Sequence, residues 1–333
     1  MNGTLIRLGL LSIVLLVVAV ISLGVGPANL SPLRVMRVLA GAEDAPSDDA
    51  PGNATTIVWD LRLPRVLLAS LIGAGLAASG AGYQGLFRNP LADPFVIGAS
   101  SGAALGATVA IACGMPSMTW LLALIGSLSA VGSVYVIATV GGQTPVTSLL
   151  LAGVAVNSFL AAVASLLMFL NEQQLFAIFE WLMGSIASRH WPDVWFSMPL
   201  ILVGTLVLWS ASRGLDALTF GEETAAALGM RIVHFRALVV TAASLTTAAC
   251  VSAAGTIGFV GLIAPHAARF IVGARHVMLI PTSCLTGAIL LLLADDFART
   301  VVAPSELPVG IITAVIGGPF FIYLLKTSQR NSA

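Results

Sequence analysis

Residues 64–87 read PRVLLASLIGAGLAASGAGYQGLF, and this stretch decides the class of fold. Its one charged side chain is Arg65, and the 22 residues that follow carry none. A hydrocarbon core about 30 Å thick is crossed by roughly 20 apolar residues in a helix. Within lipid only helices and closed barrels satisfy every backbone hydrogen bond. Arg62-Leu63-Pro64-Arg65 overlaps the start of the stretch and Arg88-Asn89-Pro90 follows its end, so cations and prolines punctuate both sides. Working outward, similar runs stand near 5–26, 95–113, 118–140, 146–170, 193–211, 233–253, 256–273, 277–300 and 308–326. The pattern predicts an all-α polytopic membrane helix bundle of about ten transmembrane helices, forming one domain over 1–333. A shorter run from Leu175 to Ile186 carries Glu180 and is placed as an interfacial helix outside the bilayer.

Composition points the same way. Apolar residues make up 58% of the 333-residue chain and charged residues 9%. A soluble domain carries about 25% charged residues, so too little polar side chain exists here to coat a water-facing globule. A formal net charge of zero supplies no basic field for nucleic acid. Cys113, Cys250 and Cys284 lie inside apolar runs without CxxC spacing and read as small core residues. Met1 to Gly26, with Arg7 near its start, has the outline of a signal peptide. Its apolar run from Leu8 to Gly24 exceeds the usual h-region of about 7–15 residues, so a retained first span is expected.

Arginine and lysine placement gives the orientation. With both termini in the cytoplasm, inside segments hold nine cations (Arg7, Arg88, Arg213, Arg231, Arg236, Arg269, Arg275, Lys326 and Arg330) and outside segments six. Lys326 is the single lysine, and no glycine run precedes it. A phosphate-binding loop needs that lysine after its glycines. If ATP drives this protein, a partner binds the nucleotide.

The most informative polar stretch is Ser210 to Arg236, with 212–232 as a cytoplasmic coupling region. Gly221 breaks the chain, Glu222 and Glu223 sit where a helix start favours acids, and Gly229 can cap the end. A short cytoplasmic helix follows, either an ordinary connector or a docking helix that transmits a partner's motion. At the outer face, Arg62 and Arg65 can hold carboxylates of a partner or anchor the span at the interface. Arg299 can join them, with internal pairing to Asp295 and Asp296 as the competing role. Gly98, Gly102 and Gly106 recur every four residues and invite close helix approach. Gly73-Ala74-Gly75-Leu76-Ala77-Ala78 matches a loose dinucleotide pattern but follows no strand, and close packing explains it better. His266, after Pro265, has no second ligand at metal spacing and is read as structural. The sequence offers neither a catalytic residue nor a metal site. The acidic stretch Gly41 to Asn53 reads as a flexible outer loop.

Five segments together resemble the FecCD-type permeases of ABC importers, which take up iron-siderophore, haem and cobalamin. They are Arg62 to Arg65; Gln84-Gly85-Leu86-Phe87-Arg88-Asn89-Pro90-Leu91-Ala92-Asp93-Pro94 with Gly98 to Gly106; Gly221 to Gly229; Gly255 to His266; and Glu306-Leu307-Pro308-Val309-Gly310. They stand in family order. The resemblance implies a homodimeric type II ABC importer permease fold in a bacterial inner membrane, with a second copy of the chain and two cytoplasmic ATP-binding subunits. A periplasmic or lipid-anchored substrate-binding protein would deliver the cargo. ATP and Mg would belong to the partner ATPase, with no cofactor bound by this chain. By position, Arg62, Arg65 and Arg299 match the arginines that receive acids of that binding protein. Gly221, Glu222, Glu223, Ala226, Leu228 and Gly229 match the helix coupled to the ATPase. The implied mechanism is alternating access, with an iron chelate (ferric siderophore or haem) as first expectation for cargo and cobalamin as the alternative. The Gly41 to Asn53 stretch has no counterpart in that pattern. An ion-coupled secondary carrier is the alternative of another class, and the scarcity of intramembrane charge weighs against it.

Overall fold

The computed structural model describes residues 2–26, 30–41 and 54–330. Eight helical stretches among these are long and apolar enough to cross a membrane. They are α1 (Asn2–Gly24); the run from α3 (Ala54–Thr56) through a π-helical segment (Ile57–Arg62) into α4 (Leu63–Phe87); α6 (Thr119–Ala138); α7 (Val146–Leu170); α9 (Trp191–Ser210); α12 (Ile232–Ala254); α14 (His276–Thr300); and α15 (Val309–Arg330). Two shorter apolar helices, α5 (Ala99–Ala112) and α13 (Val260–Val272), complete ten positions. Smaller helices are α2 (Pro32–Leu39), α8 (Leu175–Leu182), α10 (Ser212–Leu218) and α11 (Glu222–Ala227). The expected loop at Gly41 to Asn53 falls, beyond Gly41, outside the described residues.

Two differences from the hydropathy pattern have local causes. The second span starts at Ala54 rather than near Pro64. Pro64 has no N–H to continue the α-helical ladder, and Leu63 instead donates to Val58 O, five residues back. The helix therefore widens for one π turn and continues. The apolar run 256–273 is not one helix. Gly255 and Phe259 take positive φ of 75° and 68°, and regular helix begins only at Val260. Its 13 residues rise about 20 Å. The irregular backbone before it is packed in protein. Ser185 N donates to Ala254 O at 2.8 Å, and the Thr256 hydroxyl donates to Leu182 O.

α4 is the central post, its surface almost entirely buried and surrounded by α9, α12, α13 and α14. Backbone meets backbone there. A Cβ at Gly80 would lie 1.8 Å from the Gly261 carbonyl oxygen, so no other residue fits without moving α13. Such approach replaces the hydrophobic drive that lipid removes. α5, α6 and α7 form a second packed unit beside it. The outward faces of α1, α7 and α15 remain apolar and exposed, as at Leu16, Phe169 and Ile322.

The chain direction is fixed by contacts at the two ends of the bundle. Arg7, early in α1, donates to Ile271 O near the end of α13. Leu23, at the far end of α1, accepts from Arg62 Nη1 at 2.7 Å. α15 starts beside Glu306 and runs back, so it ends on the same side as α10 and α11. That side, which carries α10 and α11, is the coupling end expected from the sequence, and the opposite side is the distal end.

Candidate functional site

Among the described residues, ion-paired side chains gather at the two ends of the bundle. At the coupling end, α10 and α11 connect α9 to α12. Gly221, at φ 107° and ψ 155°, turns the chain sharply into α11, and Gly229 leaves it at φ 86°. A side chain with a Cβ would be strained at either position. Ala225 faces the bundle and is buried, whereas Glu223, Thr224, Ala226, Ala227 and Leu228 are exposed. Phe220 and Leu228 project furthest, at 77% and 75% exposure. An apolar pair flanking an acid on a short projecting helix is suited to gripping another protein.

Glu222, still 44% exposed in its side chain, is tied back to the bundle. Its Oε1 accepts from Arg236 Nη2 at 2.7 Å, and Arg236 is 5% exposed in the first turns of α12. Arg236 Nη1 donates to the Thr144 carbonyl, in the turn joining α6 to α7. On the other side, Asp216 of α10 accepts from the His276 backbone N–H at 2.8 Å and from Nδ1 at 2.7 Å. A carboxylate only accepts, so the proton lies on Nδ1. His276 opens α14 and presses on Gly85 of α4, where a Cβ would stand 2.5 Å from its Nε2. The sequence reading named neither Arg236, Asp216 nor His276 as functional. Arg236 carried a faint signal, as a cation a few residues inside an apolar span.

At the distal end, Arg62, Arg65 and Arg299 do come together. Arg65 is bidentate to Asp295, with Nε and Nη2 at 2.9 and 2.8 Å from its two oxygens. Arg65 Nη1 reaches Glu306 at 2.7 Å. Arg299 Nη2 lies 3.2 Å from Asp295 and 2.5 Å from Asp296, and Nη1 donates to Ser22 O and Val25 O. Asp296 in turn accepts from Ser22 Oγ at 2.5 Å. The cluster thus stitches α1, α4, α14 and the approach to α15. Arg62, Arg65 and Arg299 also line a cavity of about 390 Å³ with Arg189, His190 and Glu306. Burial holds the Arg189 guanidinium below its ordinary basicity, against the opposing pull of Asp193 and Glu180.

Gly102 and Gly106 sit where α5 crosses α6. A Cβ on them would stand 2.3 Å from Gly126 O and 2.0 Å from Leu122 O. Gly98 differs from its neighbours in the repeat. It precedes α5 at φ 93°, with the nearest side-chain atoms 3.5 Å from its would-be Cβ, so conformation rather than space demands glycine there. His266 stacks edge-on against Phe270 and Phe320. Among the described residues no group of three or more His, Cys, Asp or Glu is placed to hold a metal ion.

Similarity to known proteins extends over nearly the whole chain. The model of the FecCD transport family covers residues 14–327. The cobalamin import system permease BtuC of Halobacterium salinarum is 47% identical over 84% of this chain and 76% of its own length. The hemin transport system permease HmuU of Yersinia pestis is 37% identical over 99% of both chains. A solved structure described as an inward-facing conformation of an ABC transporter of metal-chelate type superposes with a TM-score of 0.85. It is 35% identical and covers 96% of this chain and 98% of that one. These relatives set aside the ion-coupled carrier. The chain belongs to the FecCD transport family and is a permease subunit of an ABC importer.

Proposed function

We propose that two copies of this chain form the membrane path of an importer for a bulky metal chelate or corrinoid. Two ATP-binding subunits would sit on the coupling end and a substrate-binding protein on the distal end. ATP and Mg would be held by those subunits, and this chain would contribute movement only. Both termini would lie in the cytoplasm, with the chain in the inner membrane. The observation that carries this reading is the outward side of α11 and its flanks, with Glu223 on the helix and Phe220 and Leu228 on either side of it. Alternating access follows if ATP closes the partner subunits against α11 and biases the bundle between two arrangements. Acids of the binding protein would enter the arginine-lined cavity, compete with Glu306 for Arg65 and approach Arg62 and Arg299 beside it.

For cargo, the 47% identity to a cobalamin permease favours a corrinoid, while 37% identity to the haem permease keeps the iron chelate as second reading. The test is uptake into proteoliposomes holding the permease, its ATP-binding subunits and its binding protein. Cyanocobalamin, haemin and ferric citrate are supplied in turn. ATP-dependent accumulation of cyanocobalamin is the expected result. Accumulation of haemin or ferric citrate instead assigns an iron chelate, and absence of cyanocobalamin uptake overturns the corrinoid assignment.

A further inference from the structure

We propose that Arg236 is the positioning residue that carries displacement of α11 into the α6–α7 turn, so that α7 moves with the docking helix. The inference rests on reading α11 as the surface gripped by the ATP-binding subunit.

α11 alone has little purchase on the bundle. It is six residues long, buries one side chain, Ala225, and is joined to its neighbours through Gly221 and Gly229, both at positive φ. A push on so short a helix between two glycine joints dissipates unless a side chain ties it inward. Among the described residues the one ion pair from α11 is Glu222 to Arg236. The planar guanidinium fixes its two partners relative to each other, with Glu222 on one nitrogen and the Thr144 carbonyl on the other. Arg236 is itself buried, so it has little room to reorient.

The receiving turn is stiff. Val140 and Gln143 exchange backbone hydrogen bonds of 2.9 and 3.1 Å around Gly141-Gly142, and the buried Thr144 hydroxyl lies 3.0 Å from that of Thr139. Movement at Thr144 therefore reaches the end of α6 and the start of α7 together. The other polar link from this region has a different destination. Asp216 holds His276 at the head of α14, and α14 is locked near its far end by Asp295 to Arg65. The Asp216 link thus leads to a frame fixed at both ends, and the Arg236 link leads to the α5–α6–α7 unit beside it.

The experiment uses the permease assembled with its ATP-binding subunits in nanodiscs. Nitroxides are placed at Gln143→Cys and Lys326→Cys, with Cys113→Ser removing the exposed native thiol. Pulsed EPR distances are recorded with and without ATP, Mg and vanadate, on assemblies in which one of the two permease copies carries the labels. In the parent, nucleotide trapping shifts the 143–326 distance distribution. In Arg236→Lys, which lacks the planar two-nitrogen fork that fixes the partners relative to each other, and in Arg236→Met, the shifted fraction falls about threefold or more, within the range that single residues on a coupling route produce. Copurification and vanadate trapping stay at parental levels in Arg236→Lys. A full-sized shift in both variants overturns the proposal. So does a loss of shift that only follows loss of assembled complex. Leu228→Arg separately tests the docking surface: undiminished copurification of the ATP-binding subunits in that variant rejects the reading of α11, whatever Arg236 does.

Discussion

Arg65, which reads in the sequence as a partner contact or a surface anchor, is also tied into the packed frame. It is held by Asp295, which is 1% exposed in its side chain, and by Glu306, which is 25% exposed. Removing one partner of a buried pair strands the other charge, at a cost of about 3–5 kcal/mol. Asp295→Asn should therefore destabilise the subunit by about that amount in SDS-titrated unfolding. Glu306→Gln, nearer to water, should cost roughly 1 kcal/mol or less. Equal losses in the two variants would contradict the layering. Asp93 gives a second residue-scale prediction. It caps the 3-10 turn Pro94–Ile97 by accepting from Phe95 N–H at 2.8 Å, yet burial raises its pKa above the ordinary 3.8, opposed in part by that hydrogen bond. The native state then keeps the proton longer than the unfolded chain. Its contribution to stability falls as pH rises from 3.8 through the raised value, then levels off. Asp93→Asn retains the cap and lacks the titration. Melting curves of the parent should drop more steeply than those of the variant across that window, and parallel curves would reject the assignment.

At the scale of elements, α11 divides its two acids between different tasks. Glu223 points outward and Glu222 points at Arg236. Glu223→Arg should weaken copurification of the ATP-binding subunits with little change in the permease's own stability. Glu222→Arg should also lower the melting temperature, because it sets two guanidinium groups against each other beside buried Arg236. Indistinguishable melting of the two variants would refute the division. The sequence showed this helix through its glycine breaks and acidic start, but it did not separate the two acids. Helical spacing alone does not tell which of two adjacent residues meets a cation at the head of the next span. The same limit explains α13. Its apolar run is long enough to span a bilayer, and only the positive φ at Gly255 and Phe259 reveals where regular helix begins.

Across the whole molecule, the helix count and the order of spans were legible because lipid imposes one requirement on every segment: enough consecutive apolar residues. Pairings between spans were not legible, since Arg65 and Asp295 or Gly80 and Gly261 meet only through tertiary packing. Among the described residues, the ion pairs lie at the two ends of the bundle, with the apolar spans packed between them. A carrier driven by protons would place titrating carboxylates along its path. Uptake by the reconstituted importer should accordingly stop with vanadate and continue when a protonophore collapses the gradient. The reverse pattern would contradict ATP coupling.

The Arg65–Asp295 pair also imposes an order on synthesis. The partners are 230 residues apart, so α4 enters the membrane long before its counter-charge has been translated. At roughly 5–20 residues per second, the arginine waits about ten to fifty seconds. During that interval it must extend to the headgroup layer rather than face hydrocarbon, as long basic side chains near helix ends do. The early spans are thus held as a loose, incomplete assembly, and the ninth insertion closes it.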